Sequence, residues 1–89
     1  MINPVEDIVV VAPLPPRSTI EMLRPDVFMR GRVLAVGPGL MIRGKLLVPD
    51  VKVNDTVHLA PGKSIDCVFD QKKVWITRER ELLAVEDPT

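Results

Sequence analysis

Turn-forming residues interrupt this chain so often that no helix of ordinary length fits between them. Pro13, Gly37-Pro38-Gly39, Arg43-Gly44, Asn54-Asp55 and the polar run Gln71-Lys72-Lys73 leave only short apolar segments. Those segments are "DIVVVA" (7–12), "RGRVLAVG" (30–37), "LMI" (40–42), "KLL" (45–47), "VKV" (51–53), "TVHL" (56–59), "SIDCVFD" (64–70), "VWIT" (74–77) and "LLAV" (82–85). They are rich in β-branched residues, which suit a pleated strand. Turn signals recurring about every 8 to 12 residues, with almost no helical periodicity, predict an all-β fold, a small barrel or sandwich.

Individual segments carry further expectations. The run in 7–12 is apolar on both faces, the pattern of a strand covered on two sides, and a neighbouring subunit could supply the second cover. Arg43-Gly44 is a two-residue turn, compatible with a primed type or with type II. Asn54 tolerates a left-handed backbone and suits a tight turn. Ile65, Cys67 and Phe69 alternate with Asp66, Val68 and Asp70, which gives one clearly apolar face. "RERE" (78–81) reads as a solvated charge run with room for one helical turn.

At 89 residues the chain has interior enough for one domain, 1–89, with a small core. No disulfide or metal reinforces it, so association with further copies would supply missing burial. Lys plus Arg equals Asp plus Glu at 12 each, which gives no net field towards nucleic acid or an anionic membrane. Cys67 is the only cysteine, which fits a reducing compartment. The Met1 end lacks the basic region of a signal peptide, and its apolar run is too short to span a membrane. The expected location is cytoplasmic.

Residues 13–29 fit none of the strands. Ser18 and Glu21 have capping-box spacing, but Pro25 stops a helix early. Alternatively, Pro25-Asp26 turns a hairpin. Val27, Phe28 and Met29 could plug an open barrel end as easily as serve a partner. Ile20, Met22 and Leu23 lie in mid-loop, far from both strand ends, where an apolar cluster suits docking into a partner's groove.

"PVEDIVVV" (4–11), "RGRVLAVGPG" (30–39), "VPDVKVNDTV" (48–57) and "ELLAVED" (81–87) together resemble the GroES-type co-chaperonins, along nearly the whole chain. The most specific part is "RGRVLAVGPG" followed by "VKVNDTV". The resemblance implies a small irregular β-barrel assembled as a heptameric ring, the lid of a large GroEL-type chaperonin. It implies that about 14–29 is a mobile loop whose Ile20, Met22 and Leu23 bind the chaperonin. It also implies that about 40–47 is a roof hairpin, and that Ile8, Val9, Val10 and Val11 meet Leu82, Leu83 and Val85 across the subunit boundary. ATP and magnesium would be bound by the partner, so the chain itself would need no cofactor. The chain departs from the family pattern. Glu21 splits the apolar triplet, Asn54 replaces the usual turn glycine, and there is no tyrosine. It reads as a divergent member, of a kind a virus could encode. The alternative is a ring-forming structural or decoration protein without a chaperonin.

Fragments that imitate catalytic motifs are incomplete. "GLMIRGKL" (39–46) has Leu46 where a phosphate-binding loop needs a hydroxyl, and Pro49 blocks the helix that should follow. His58 and Cys67 alone are too few soft ligands for a zinc site. Lys72, Lys73, Trp75, Arg78 and Arg80 are interrupted by Glu79 and Glu81, so no nucleic-acid partner is expected. The chain is read as non-enzymatic.

Overall fold

The computed structural model describes residues 3–15, 29–60 and 62–86. The strands are β1 (Ile8–Pro13), β2 (Met29–Val36), β3 (Leu40–Ile42), β4 (Lys45–Leu47), β5 (Thr56–Leu59), β6 (Ile65–Phe69), β7 (Lys72–Arg78) and β8 (Leu82–Val85). A 3-10 turn, Glu79–Glu81, links β7 to β8. Six strands form an antiparallel sheet in the order β6-β7-β1-β2-β5-β8, while β3 and β4 form a hairpin of their own.

Val9, Val11, Val33, Val51, Val57 and Leu59 form one buried cluster, and Trp75 of β7 and Leu82 of β8 pack against it. β7 and β8 stand four places apart in the sheet. In a flat sheet that separation would be roughly 19 Å, too far for both to touch one cluster. The sheet therefore curls around its core, in keeping with the small barrel expected.

The turns follow the sequence signals. Arg43 and Gly44 both have positive φ, 51° and 79°, so the β3–β4 connection is the primed type I′ turn. Asp70 and Gln71, at 56° and 66°, make the same kind of turn between β6 and β7, one residue before the expected Gln71-Lys72-Lys73, whose two lysines instead begin β7. Asn54 has φ 77°, and its N–H donates to the Val33 carbonyl at 2.8 Å. The Val33 N–H donates in return to the Asp55 carbonyl at 2.9 Å. This turn is thereby stitched to β2, and residues 51–53 are not the strand that their alternation predicts. Val51 instead contributes a single buried side chain to the core.

At Gly37-Pro38-Gly39 the chain crosses the segment before β1. The N–H groups of Gly37 and Gly39 donate to the carbonyls of Ile8 and Glu6, both at 2.9 Å. A Cβ at Gly37 would strike the Glu6 carbonyl oxygen, so glycine is required by close approach.

Two expectations need correction. Val9, Val10 and Val11 are 0%, 1% and 0% exposed within the single chain. β1 lies between β2 and β7, with Val10 flanked by Ala35 and Ile76, so both of its backbone edges are occupied. The second cover thus comes from the chain itself, and these three valines offer no surface to a neighbour. The second correction concerns β6. Among the described residues it pairs only with β7 at the end of the sheet, and its Ile65 and Phe69 remain exposed although they form the apolar face of the alternation.

Candidate functional site

The ends of β1 and β2 fix where the long connection between them begins and finishes. Pro13 lies opposite Gly31 at the last pairing of the two strands. Beyond it the Leu14 N–H donates to the Arg30 carbonyl at 3.0 Å, and Arg30 Nη2 donates to the Pro15 carbonyl at 2.9 Å. Antiparallel partners keep their Cα atoms about 4.5–5.5 Å apart. The described ends that flank residues 16–28 therefore lie side by side on the body.

The re-entry end is held in depth as well as at the surface. Met29 pairs with Leu59 and packs against the core cluster. Gly31 allows β2 to lie over Val11, whose Cγ1 occupies the place that a Cβ would take. Arg30 Nε is buried and has no hydrogen-bond partner among the described residues, where the guanidinium bonds through Nη2. Met29, partly buried, thus packs against the core. Val27, Phe28 and the candidate anchors Ile20, Met22 and Leu23 lie outside the described residues.

The candidate interface residues separate by exposure. Ile8 is half-buried and borders a cleft of about 350 Å³ together with Ile65, Ile76, Lys63 and Arg80. Leu82 turns inward to the core, whereas Leu83 and Val85 are 65% and 46% exposed. β8 pairs with β5 through Val57–Val85, His58–Ala84 and Leu59–Leu82, and its other edge has no strand partner among the described residues. The structure therefore brings β8 beside β5 within one chain and does not bring it to β1. Among the residues proposed for contact with a neighbour, Leu83 and Val85 are exposed and Ile8 and Leu82 are partly exposed.

The charge run after β7 carries connections that the sequence reading missed. Arg78 Nη1 donates to Asp7 Oδ1 at 2.7 Å, and the Glu79 N–H donates to the Asp7 carbonyl at 2.9 Å. The Asp50 N–H donates to Glu79 Oε2 at 2.5 Å. "RERE" thus ties the segment before β1 and the loop before β5 to the end of β7. Alternating charges gave no hint of it, because the partners lie 71 and 29 positions away. His58 Nε2 lies 3.6 Å from Glu86 Oε1 at the partly exposed rim of β5. Trp75, partly buried, packs against the core cluster. No group of His, Cys, Asp or Glu among the described residues could hold a metal ion, and no helix there is long and apolar enough to cross a membrane.

Comparison with known proteins agrees with this geometry. A family model described as the chaperonin 10 kDa subunit matches residues 1–86. A "Co-chaperonin GroES" of Rhodothermus marinus is 32% identical over 90 residues, covering 94% of this chain and 90% of its own. That of Streptomyces griseus is likewise 32% identical, covering 94% of this chain and 88% of its own. One from Vibrio harveyi is 40% identical over 60 residues, or 65% of this chain and 59% of its own.

Proposed function

Because the chain belongs to the chaperonin 10 kDa subunit family, we propose that it is a co-chaperonin, the subunit of a ring-shaped lid. In this reading the ring, heptameric as in the resemblance, closes the folding chamber of a large ATP-dependent GroEL-type chaperonin in the cytoplasm. ATP and magnesium are the partner's, and the lid contributes closure rather than catalysis. The observation that supports the reading is the tie of Leu14 and Pro15 to Arg30, which holds the two ends flanking residues 16–28 together at one place on the barrel.

Ile20, Met22 and Leu23 are the proposed anchors. Burying each contributes roughly 1.5–3 kcal/mol. Ordering about six loop residues costs roughly 1–2 kcal/mol apiece. One loop therefore binds weakly or not at all. Once one loop of a ring has docked, the others bind at high effective concentration, and the affinity belongs to the assembly. The same arithmetic permits release, since a small loss at every loop multiplies around the ring. Ile8, Leu83 and Val85 are proposed to meet the neighbouring subunit, with Leu82 behind them.

Size-exclusion chromatography with a large bacterial chaperonin, with and without ATP or ADP, tests the reading. Nucleotide-dependent co-elution is the expected result. A clean ring that never co-elutes under any nucleotide would refute it.

A further inference from the structure

At the end of the sheet, β6 shows apolar side chains on both of its faces. Ile65 and Phe69, on the face of Cys67, are 66% and 39% exposed, and Val68 on the other face is 76% exposed. Every edge strand has unpaired backbone groups, so an open edge by itself says nothing about an occupant. What singles out β6 is the order in which its backbone groups, charges and apolar side chains alternate.

The hairpin turn sets the backbone phase. Asp70 and Gln71 are the central residues of a type I′ turn, so Phe69 and Lys72 are the hydrogen-bonded pair that closes it. Hydrogen-bonded and non-hydrogen-bonded pairs alternate along an antiparallel ladder, and the β6–β7 register runs without a shift. Ile65, Cys67 and Phe69 therefore direct their N–H and C=O groups to β7, whereas Asp66 and Val68 direct theirs outward. Two outward residues flanking Cys67 make the open edge symmetric about that residue. A second β6, run antiparallel about the same point, sets Asp66 of each copy opposite Val68 of the other as hydrogen-bonded pairs.

Charge and packing select the same register. Three antiparallel registers bring outward residues of two copies together, centred on Asp66, Cys67 or Val68. The first opposes Asp66 to Asp66 and the third opposes Asp66 to Asp70, and like charges directly opposite are destabilising. Centred on Cys67, Asp66 faces Val68 and Asp70 faces Ser64, so no acid faces another. The two Asp66 carboxylates then lie on a diagonal, each with Lys73 of its own chain at 3.9 Å. Ile65 faces Phe69, a β-branched and aromatic pair of the favourable cross-strand kind. That pair extends the apolar rim of the cleft lined by Ile8, Ile65 and Ile76.

We propose that β6 is a two-fold contact between copies of this chain, pairing antiparallel with the β6 of a second copy about Cys67. Such a contact uses the same residues on both sides, and an isologous contact cannot close a ring with an odd number of members. It therefore joins protomers of separate assemblies, distinct from the contact proposed at Ile8, Leu83 and Val85, and it does not depend on the lid reading.

The test uses the whole protein without any chaperonin. In this register the two Cys67 residues form a non-hydrogen-bonded pair with Cα atoms about 4.5 Å apart, a separation that a disulfide bridges. With oxidised glutathione as the oxidant, the parent should give a disulfide-linked dimer on a non-reducing gel. Cys67→Ser/Val68→Cys should not, although position 68 is the more exposed of the two. Cys67→Ser/Ile65→Cys mixed with a tagged Cys67→Ser/Phe69→Cys should link the two variants to each other and neither to itself. Sedimentation of the parent should show mass rising with concentration. Val68→Pro removes an outward N–H from each copy and leaves the β6–β7 ladder intact, and should weaken the association about five- to 150-fold, the range of two hydrogen bonds. Should that variant misfold, Val68→Glu sets a carboxylate opposite Asp66 and should weaken it as well. A parent mass independent of concentration, Val68→Cys linking as readily as Cys67, or no link between the Ile65→Cys and Phe69→Cys variants overturns the proposal. So does a link between the parent and Cys67→Ser/Val85→Cys, which would make β8 the occupant of this edge. Co-elution with the chaperonin is measured on the same preparations, so failure of the lid reading and failure of the β6 contact show separately.

Discussion

Replacing Arg78 with methionine should destabilise the fold measurably, although the residue lies in a run of alternating charges on the surface. Its guanidinium meets the Asp7 carboxylate at 2.7 Å, with the Asp7 side chain only 11% exposed and that of Arg78 42% exposed. Breaking a fully buried pair by removing one partner costs about 3–5 kcal/mol. An exposed pair contributes only about 0–1 kcal/mol. Here the carboxylate is nearly buried but its cation is open to screening, which places Arg78→Met at about 1–2 kcal/mol. For a domain of this size that lowers the melting temperature by roughly 4–16 °C. Asp7→Asn should cost less, about 0.5–1 kcal/mol, because the amide oxygen still accepts from the guanidinium.

Urea unfolding of the two single variants and the double variant closes the cycle. Protomer concentration must be held fixed, since any assembly makes apparent stability depend on it. The double variant should be more stable than the sum of the single losses predicts, because the orphaned carboxylate is gone. The reasoning fails if Arg78→Met lies within about 0.3 kcal/mol of the parent, or if the two losses simply add.

Gly37→Ala should cost about 1–3 kcal/mol, since its Cβ would meet the Glu6 carbonyl oxygen; a thermal melt matching the parent would show that the crossing before β1 can give way. Arg30→Met removes the donor to Pro15 while Met29 still holds the core, so limited proteolysis between residues 13 and 30 should quicken with little change in global unfolding. Alanine at Ile20, Met22 and Leu23 together should abolish nucleotide-dependent co-elution with the chaperonin and leave assembly size unchanged; retained co-elution would move the anchor elsewhere.

The sequence disclosed what depends on local chemistry. Arg43-Gly44 and Asn54 lie where the backbone takes positive φ, and such positions are punctuated by the residues that tolerate it. The all-β class followed from that punctuation together with the β-branched runs between. Burial, by contrast, is decided by what the chain brings from afar. "DIVVVA" correctly announced two covered faces, but composition cannot say whether the cover is intramolecular, and here Val9, Val10 and Val11 are buried within the single chain. "IDCVF" alternates just as cleanly, yet it ends the sheet and stays exposed. Alternation reports that two faces differ, and only the strand order decides which of them meets the core. The Asp7–Arg78 pair was illegible for the same reason, since its partners approach only after β7 has been laid beside β1.

The position of β1 also bears on how the proposed ring is built. A strand paired on both edges and buried through Val9, Val10 and Val11 is the most constrained part of the fold, and it runs directly into the clamped base of residues 16–28. Had a neighbour completed β1, the anchor of each loop would soften whenever the ring loosened. Because the chain completes it alone, loop presentation in the proposed lid would belong to the protomer, and the number of loops presented together would belong to the ring. In the proposed ring, subunit contact would then fall to the ends of the sheet, where Leu83 and Val85 of β8 remain exposed. The sheet's two ends, β6 and β8, differ in sequence and register, so an end of one copy set against a different surface of the next gives a heterologous contact, the kind that closes into a ring when the rotation allows.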